Sequence, residues 1–314
     1  MRVLFVASAN NWGNQAAPFI TEQAESLKKL GHEIDFFLVR GKGWLSYIKH
    51  AARLKAYLKG NRYDLVHAHF VWSALISVVQ RQVPVVVTFH GSDLAEPLLR
   101  MFSLLLVYPL ARSCIVVNDK MRHYLPTRKT TVIPCGIDTI LFTPLDKAEA
   151  RRKLGLDKDA KYILFSSRFD RPEKNAPLAH KAVSASGTNA RLIEFDGYTR
   201  EQSALLYSAV DLLLLTSLHE GSPQVIKEAM ACNCPIVSTD VGDVKGMIGN
   251  TENSYICSFD ATEIAAKIAK ALSSGNRSNG RERLLHIGLS LEEIAARLNN
   301  VYDNVMKGAD ITHA

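Results

Sequence analysis

With 314 residues, 47% of them hydrophobic and 22% charged, the chain has enough apolar material for two domains with filled cores. It offers no charge-free apolar run long enough to cross a bilayer, and its start, Arg2-Val3-Leu4-Phe5-Val6-Ala7, turns polar too soon for a signal peptide. A net charge of +7 points to anionic partners, while five scattered cysteines without zinc-ligand spacing fit a reduced, cytosolic setting.

Taken in order, the first half alternates short apolar runs with helical patterns. Residues 3–7, 34–39, 65–68, 83–88, 115–117 and 131–133 read as strands, with helical patterns at 17–30, 44–58 and 98–111. Continuous apolar strands alternating with helices argue for a parallel sheet covered on both faces. Ligands of such sheets sit beyond the carboxyl ends of the strands, which singles out the loops 8–16, 90–93 and 134–138. The 44–58 pattern carries an apolar stripe of Trp44, Tyr47, Ile48, Ala51, Leu54 and Leu58 with Lys49 and Arg53 opposite, and no acid occurs between Arg40 and Arg62. Either it is a covering helix with a solvated basic face, or it docks on an anionic membrane surface with 98–110 adding to it.

Composition shifts over 139–159, where Phe142-Thr143-Pro144-Leu145-Asp146 leads into a charged helix closed by Gly155. This places an N-terminal domain at 1–143 and a second at 144–290. Strands are expected in the second at 162–166, 191–195, 211–215, 236–238 and 255–257. The remainder, 291–314, reads as an amphipathic helix with Glu292 and Glu293 in its first turn, expected to pack back on the N-terminal domain.

Chemistry concentrates after the apolar run 211–215. A polar loop leads to a helix whose start signals are Ser222 as N-cap and Pro223 at the first helical position. Such a junction aims free backbone N–H groups and the positive end of a helix dipole at one spot, which suits an anion. Glu220 and Glu228 frame that spot. Upstream, Arg168 and Lys174 end the strand 162–166, and two cations there can clamp a diphosphate and neutralise charge growing on it. Arg171 competes for either role, and surface pairing with Asp170 and Glu173 is the plain alternative.

Glu220-x7-Glu228, embedded in His219-Glu220-Gly221-Ser222-Pro223, Glu228-Ala229-Met230-Ala231 and Pro235-Ile236-Val237-Ser238-Thr239-Asp240-Val241-Gly242, resembles the nucleotide-sugar site of retaining family-four glycosyltransferases of the GT-B fold. Arg168 followed six residues later by Lys174 is similar to the family's strand-end pair, and His90-Gly91-Ser92-Asp93 resembles its His-Gly-Ser-Asp. The resemblance implies an α/β fold of two Rossmann-like, doubly wound domains with an interdomain cleft. It implies metal-independent, retaining transfer from a nucleoside-diphosphate sugar, with a UDP-sugar favoured over a GDP-sugar. The acceptor would be a carbohydrate or lipid-linked hydroxyl, as in polysaccharide biosynthesis. No cofactor beyond the donor substrate and no nucleic acid is expected, and the enzyme would be cytoplasmic, peripheral on the inner face of the membrane.

The roles it implies are specific. Arg168 and Lys174 face the leaving diphosphate, Glu228 the ribose, and Glu220 a hydroxyl of the donor sugar. Gly221, Ser222 and the backbones of Gln224 and Val225 meet the sugar and diphosphate, and Tyr198 lies near the base. His90 faces the sugar or acceptor, Asp93 orients His90 or holds the acceptor, and Gly13 lets backbone approach. Three departures stand out: Ser222-Pro223 ends a Glu-Gly-Phe-Gly pattern and removes one N–H, Cys135 replaces an Asn, and the stretch 175–211 is short of a helix and a strand. A nucleotide-sugar epimerase and a catalytically silent carbohydrate- or nucleotide-binding module are the competing readings.

Overall fold

The computed structural model describes residues 1–10, 13–41 and 44–308. They form two α/β units, one of Met1–Gly136 joined by the C-terminal segment from Leu291, the other Ile137–Ser290. The division falls after Gly136 rather than after Thr143. The reason is packing: Ile137 and Phe142 are fully buried in the second unit's core, and Ile137 N–H donates to Leu289 O at 2.9 Å.

In the first unit six strands pair in parallel: β1 (Arg2–Ser8), β2 (Glu33–Val39), β3 (Leu65–His69), β4 (Val85–Phe89), β5 (Ser113–Val116) and β6 (Thr130–Val132). Their order is β2-β1-β3-β4-β5-β6. Strands β3, β4 and β5 are buried along their whole length, which is why they read as mostly continuous apolar runs. Because side chains alternate across a strand, Leu4 and Val6 face one core while Val3, Phe5 and Ala7 face the other.

The second core is completed from far away in sequence. Helix Leu291–Lys307 lays Ile294, Leu298, Val301 and Tyr302 beside Ile20, Ala24 and Leu27 of helix Pro18–Lys29. Burying each such side chain is worth roughly 1.5–3 kcal/mol. Polar ties fix its register: the Tyr302 hydroxyl lies 2.6 Å from His67 Nδ1, and Arg297 Nη2 donates to Val132 O at 2.6 Å.

Helix Trp44–Gly60 turns part of its apolar stripe inward, with Leu54 and Leu58 in the core and Tyr47 and Ala51 packed on it, while Ile48 is exposed; the Trp44 side chain lies outside the described residues. Lys49, Arg53, Lys55 and Lys59 face solvent. The pattern expected as one helix over 98–111 is a run of three segments: Pro97–Phe102, a π-turn at Ser103–Val107, and Tyr108–Leu110. Pro109 explains the break in register, since it has no N–H for the carbonyl four residues back and its ring crowds that turn.

The second unit repeats the plan with five parallel strands: β7 (Lys161–Phe165), β8 (Ala190–Glu194), β9 (Leu212–Leu215), β10 (Ile236–Thr239) and β11 (Ser254–Cys257). The order is β11-β10-β9-β7-β8. The short stretch between β7 and β9 holds helix Ala176–Ala185, the edge strand β8 and helix Arg200–Ala209. In both sheets the first strand lies between the second and third. Strand order therefore reverses at β1/β3 and at β7/β9, the place where α/β sheets open a crevice for ligands.

Candidate active site

The loops leaving β7 and β9 are stitched together. The Thr216 hydroxyl donates to the carbonyls of Lys174 and Asn175, both at 3.0 Å, and Leu218 N–H donates to Glu173 O at 2.9 Å. Asn175 adopts the left-handed conformation (φ 55°), one that Asn tolerates better than most residues, and so turns the chain into helix Ala176–Ala185. This sets Lys174 Nζ 2.5 Å from Glu220 Oε1, an oxygen that also accepts from the Ser217 hydroxyl at 2.7 Å. Both partners of the ion pair are largely withdrawn from solvent.

Beyond Glu220 the chain enters helix Gln224–Ala231. Its N-cap is Pro223, with extended backbone and no side-chain cap. The expected cap, Ser222, instead points its hydroxyl inward, where it is buried without a hydrogen-bond partner. The cause is the proline: placed at the cap itself rather than one residue later, it moves Ser222 a residue outside the helix. Gly242, after β10, braces the loop from behind. It has φ +55°, and a Cβ there would lie 2.3 Å from Gly221 O.

Glu228, two turns into the helix, is buried. Arg200 Nη1 donates to its Oε1 at 2.5 Å and the Tyr207 hydroxyl donates to its Oε2 at 2.8 Å. Burial first, then the charge of Glu228, push the Tyr207 hydroxyl well above its ordinary pKa, so it stays protonated and donates. Arg200 also lies 4.6 Å over the Phe142 ring. Neither Arg200 nor Tyr207 stands out in the sequence. The available signal is the capping box Thr199-x-x-Gln202, which starts their shared helix.

Arg168 stands at the end of β7 with its guanidinium exposed and paired to Asp170. Tyr198, after β8, stacks on Phe195 with ring centroids 6.0 Å apart. The structure thus brings Lys174, Glu220, Gly221, Ser222 and the start of the helix bearing Gln224, Val225 and Glu228 to one place. Arg168 is directed to its neighbour.

In the first unit, His90 follows β4. Its Nε2 is 3.2 Å from His69 Nδ1 and its Nδ1 is 3.6 Å from Cys135 Sγ. The ring lies against Phe70, centroids 4.4 Å apart, and Phe70 itself has φ 68° and ψ 155°, a region costly for any residue but glycine. His69 in turn stacks on His67 at 4.4 Å. Burial lowers the pKa of His67 to about 3 and that of His69 well below its ordinary value, so both imidazoles are neutral. Asp93 is buried and accepts from the backbone N–H of His90 at 3.0 Å and of Gly91 at 2.9 Å. It therefore shapes the loop that presents His90. Burial raises its pKa to about 6 against the pull of those N–H groups. Gly13 is exposed with φ +57°, and the neighbouring Asn11 and Trp12 lie outside the described residues.

Two family models match the chain, Glycosyltransferase Family 4 over residues 36–141 and Glycosyl transferases group 1 over residues 169–274. The chain belongs to the family-four glycosyltransferases. This glycosyltransferase is 24% identical over 324 aligned positions to the D-inositol 3-phosphate glycosyltransferase of Thermobispora bispora, an alignment covering 83% of this chain and 75% of that one. It is 27% identical over 238 positions to the putative teichuronic acid biosynthesis glycosyltransferase TuaC of Bacillus subtilis, covering 66% and 61%. It thus spans three quarters of the first relative's length and about three fifths of the second's.

Among solved structures, sucrose-phosphate synthase from Thermosynechococcus elongatus matches with a TM-score of 0.85 at 19% identity, over 98% of this chain and 100% of that one. Anabaena Alr3699/HepE in complex with UDP and glucose matches with a TM-score of 0.73 at 15% identity, over 97% and 100%. Identities this low speak for the fold, which is GT-B, with two parallel-sheet Rossmann-like units.

Proposed function

We propose that this glycosyltransferase moves a hexosyl group, with retention of configuration, from a UDP-sugar to a hydroxyl of a carbohydrate or lipid-linked acceptor. The observation that carries the reading is the Lys174–Glu220 pair set in front of the helix bearing Glu228. A donor's diphosphate entering there competes with Glu220 for the Lys174 ammonium. Lys174 and Arg168 then balance the charge that grows on the diphosphate as its bond to the sugar breaks, with no metal required. Glu220, released from Lys174, is free to accept from a hydroxyl of the sugar, and Glu228 accepts from the ribose. The acceptor hydroxyl attacks the anomeric carbon from the face the diphosphate leaves and passes its proton to the departing diphosphate oxygen. His90 is read as facing the sugar or acceptor, and Tyr198 as lying near the base.

UDP is favoured because Anabaena Alr3699/HepE, which shares the fold, was solved with UDP, with UDP and glucose, and with UDP-glucose. We place the protein in the cytoplasm, peripheral on the inner face of the membrane. A panel of nucleotide sugars tested by thermal shift addresses the donor. One UDP-sugar is expected to raise the melting point, since only a ligand bound to the native state does so. A shift with a GDP-sugar alone, or with none, would overturn the donor assignment.

A further inference from the structure

We propose that the outer face of the helical run 97–110 docks on the surface of an anionic lipid bilayer, with Trp72 and Ile48 continuing the contact. This rests on the peripheral placement proposed above and names the element responsible. The run buries Ser103 and Val107 against the first unit and turns Leu98, Met101, Leu105, Leu106 and Leu110 outward. Leu98 is 58% exposed and Leu105 65%, values opposite to those of a helix that merely covers a sheet. The one charged side chain among these residues, Arg100, is drawn aside over the Tyr124 ring at 4.8 Å.

The apolar surface continues beyond the helix. Trp72 stacks on Tyr47 with centroids 4.8 Å apart and reaches Phe102 at 6.5 Å, and Ile48 beside Tyr47 is exposed. Trp, with an apolar body and one polar N–H, suits the boundary between headgroups and acyl chains. Cations border the patch on two sides. Lys49, Arg53, Lys55 and Lys59 are exposed on helix Trp44–Gly60. At the other end Arg81, Arg112 and Lys129 line a cavity of about 270 Å³ with Pro109 and Leu110, and no acid lines it.

Sequence adds to this: no Asp or Glu occurs from Pro97 to Asn118 or from Arg40 to Tyr63. A second copy seated on this face would bring like charges together, whereas anionic headgroups match the cationic border and acyl chains match the leucines.

The test is co-sedimentation of the full chain, without sugar donor, with vesicles of equal parts phosphatidylcholine and phosphatidylglycerol, against vesicles of phosphatidylcholine alone. Binding is expected to the anionic vesicles and to weaken with added salt. Leu105→Glu combined with Leu106→Glu is expected to lower partitioning by about tenfold or more, and Lys49→Glu with Arg53→Glu by about fivefold per charge removed. All four side chains are exposed, so melting points should hold, and Leu285→Glu on the second unit should pellet like the parent. A parent that stays in the supernatant, a leucine variant that pellets unchanged, or a dimer that the leucine variant disperses would each overturn the proposal. Because no donor is present, any of these leaves the transfer reading standing.

Discussion

Lys174 and Arg200 show what a residue's place along the chain discloses by itself and what it hides. Lys174 follows a strand and Glu220 follows the neighbouring strand, so the α/β ligand rule alone brings them together, and they meet at 2.5 Å. Arg200 gives no such cue. Its contact with Glu228 spans 28 residues and depends on how the shortened stretch after β7 returns to the sheet. Kinetics should separate the two cations of the strand end. Lys174→Ala is expected to lower kcat by about two to three orders of magnitude, the scale of losing one charge-stabilising donor. Arg168, exposed and paired to Asp170, should add a further loss in the double variant while the fold survives. A double variant within a few-fold of the parent would remove the clamp. Glu228→Ala leaves the Tyr207 hydroxyl without its acceptor, and affinity for free UDP, measured by calorimetry, is expected to fall at least about tenfold. Unchanged affinity would contradict the ribose role.

Elements were legible wherever hydrophobic period decided them. Strands β1 to β11 fall within two residues of the apolar runs, because parallel strands buried on both faces need such runs. What periodicity could not give was the direction a helix faces. The stripe at 44–58 fitted a covering helix and a docking face alike, and it divides, with Leu54 and Leu58 in the core and Ile48 exposed, while 98–111 carries its apolar side outward. Loop bracing was equally hidden, since the stretch Asp240-Val241-Gly242 gives no hint that Gly242 backs onto Gly221. Two glycines with similar backbone test this. Gly155→Ala meets open space at φ +66°, so it should cost about 1–2 kcal/mol for the left-handed backbone alone and leave turnover intact. Gly242→Ala must also displace Gly221 O, so it should lower the melting point further and raise KM for the donor. Equal effects on KM would mean the Gly221 loop is not part of the donor site.

At the scale of the whole molecule, alternating strands and helices announced two units and the amphipathic pattern of 291–314 announced a helix returning to the first; what did not show was where it seats, because that depends on contacts as distant as Tyr302 to His67. That return buries an imidazole pair that the second unit lacks, since His180, His219 and His286 are exposed. Acid should therefore weaken the two units unequally. With their folded pKa values lowered from 6.5, His67 and His69 support stability that is complete above the unfolded value and is lost as pH falls below it, continuing for His67 to about 3. Asp93 acts in the opposite sense: raised from 3.8 to about 6, it favours the native state as pH falls through that window. At pH near 5 the unfolded chain thus holds two protons on the imidazoles and the native chain one on Asp93. The net uptake of one proton on unfolding lowers the first unit's stability by about 1.4 kcal/mol per pH unit. Trp12, Trp44 and Trp72, the chain's three tryptophans, all fall within the Met1–Gly136 portion that belongs to that unit. The urea midpoint followed by tryptophan fluorescence should fall between pH 6 and 4 and separate from the far-ultraviolet dichroism transition, which reports both units. Asp93→Asn removes the opposing proton and should about double the slope, whatever it costs in absolute stability. Coincident transitions at pH 4.5, or an unchanged slope in the variant, would mean that the histidines and Asp93 do not carry the charges assigned to them.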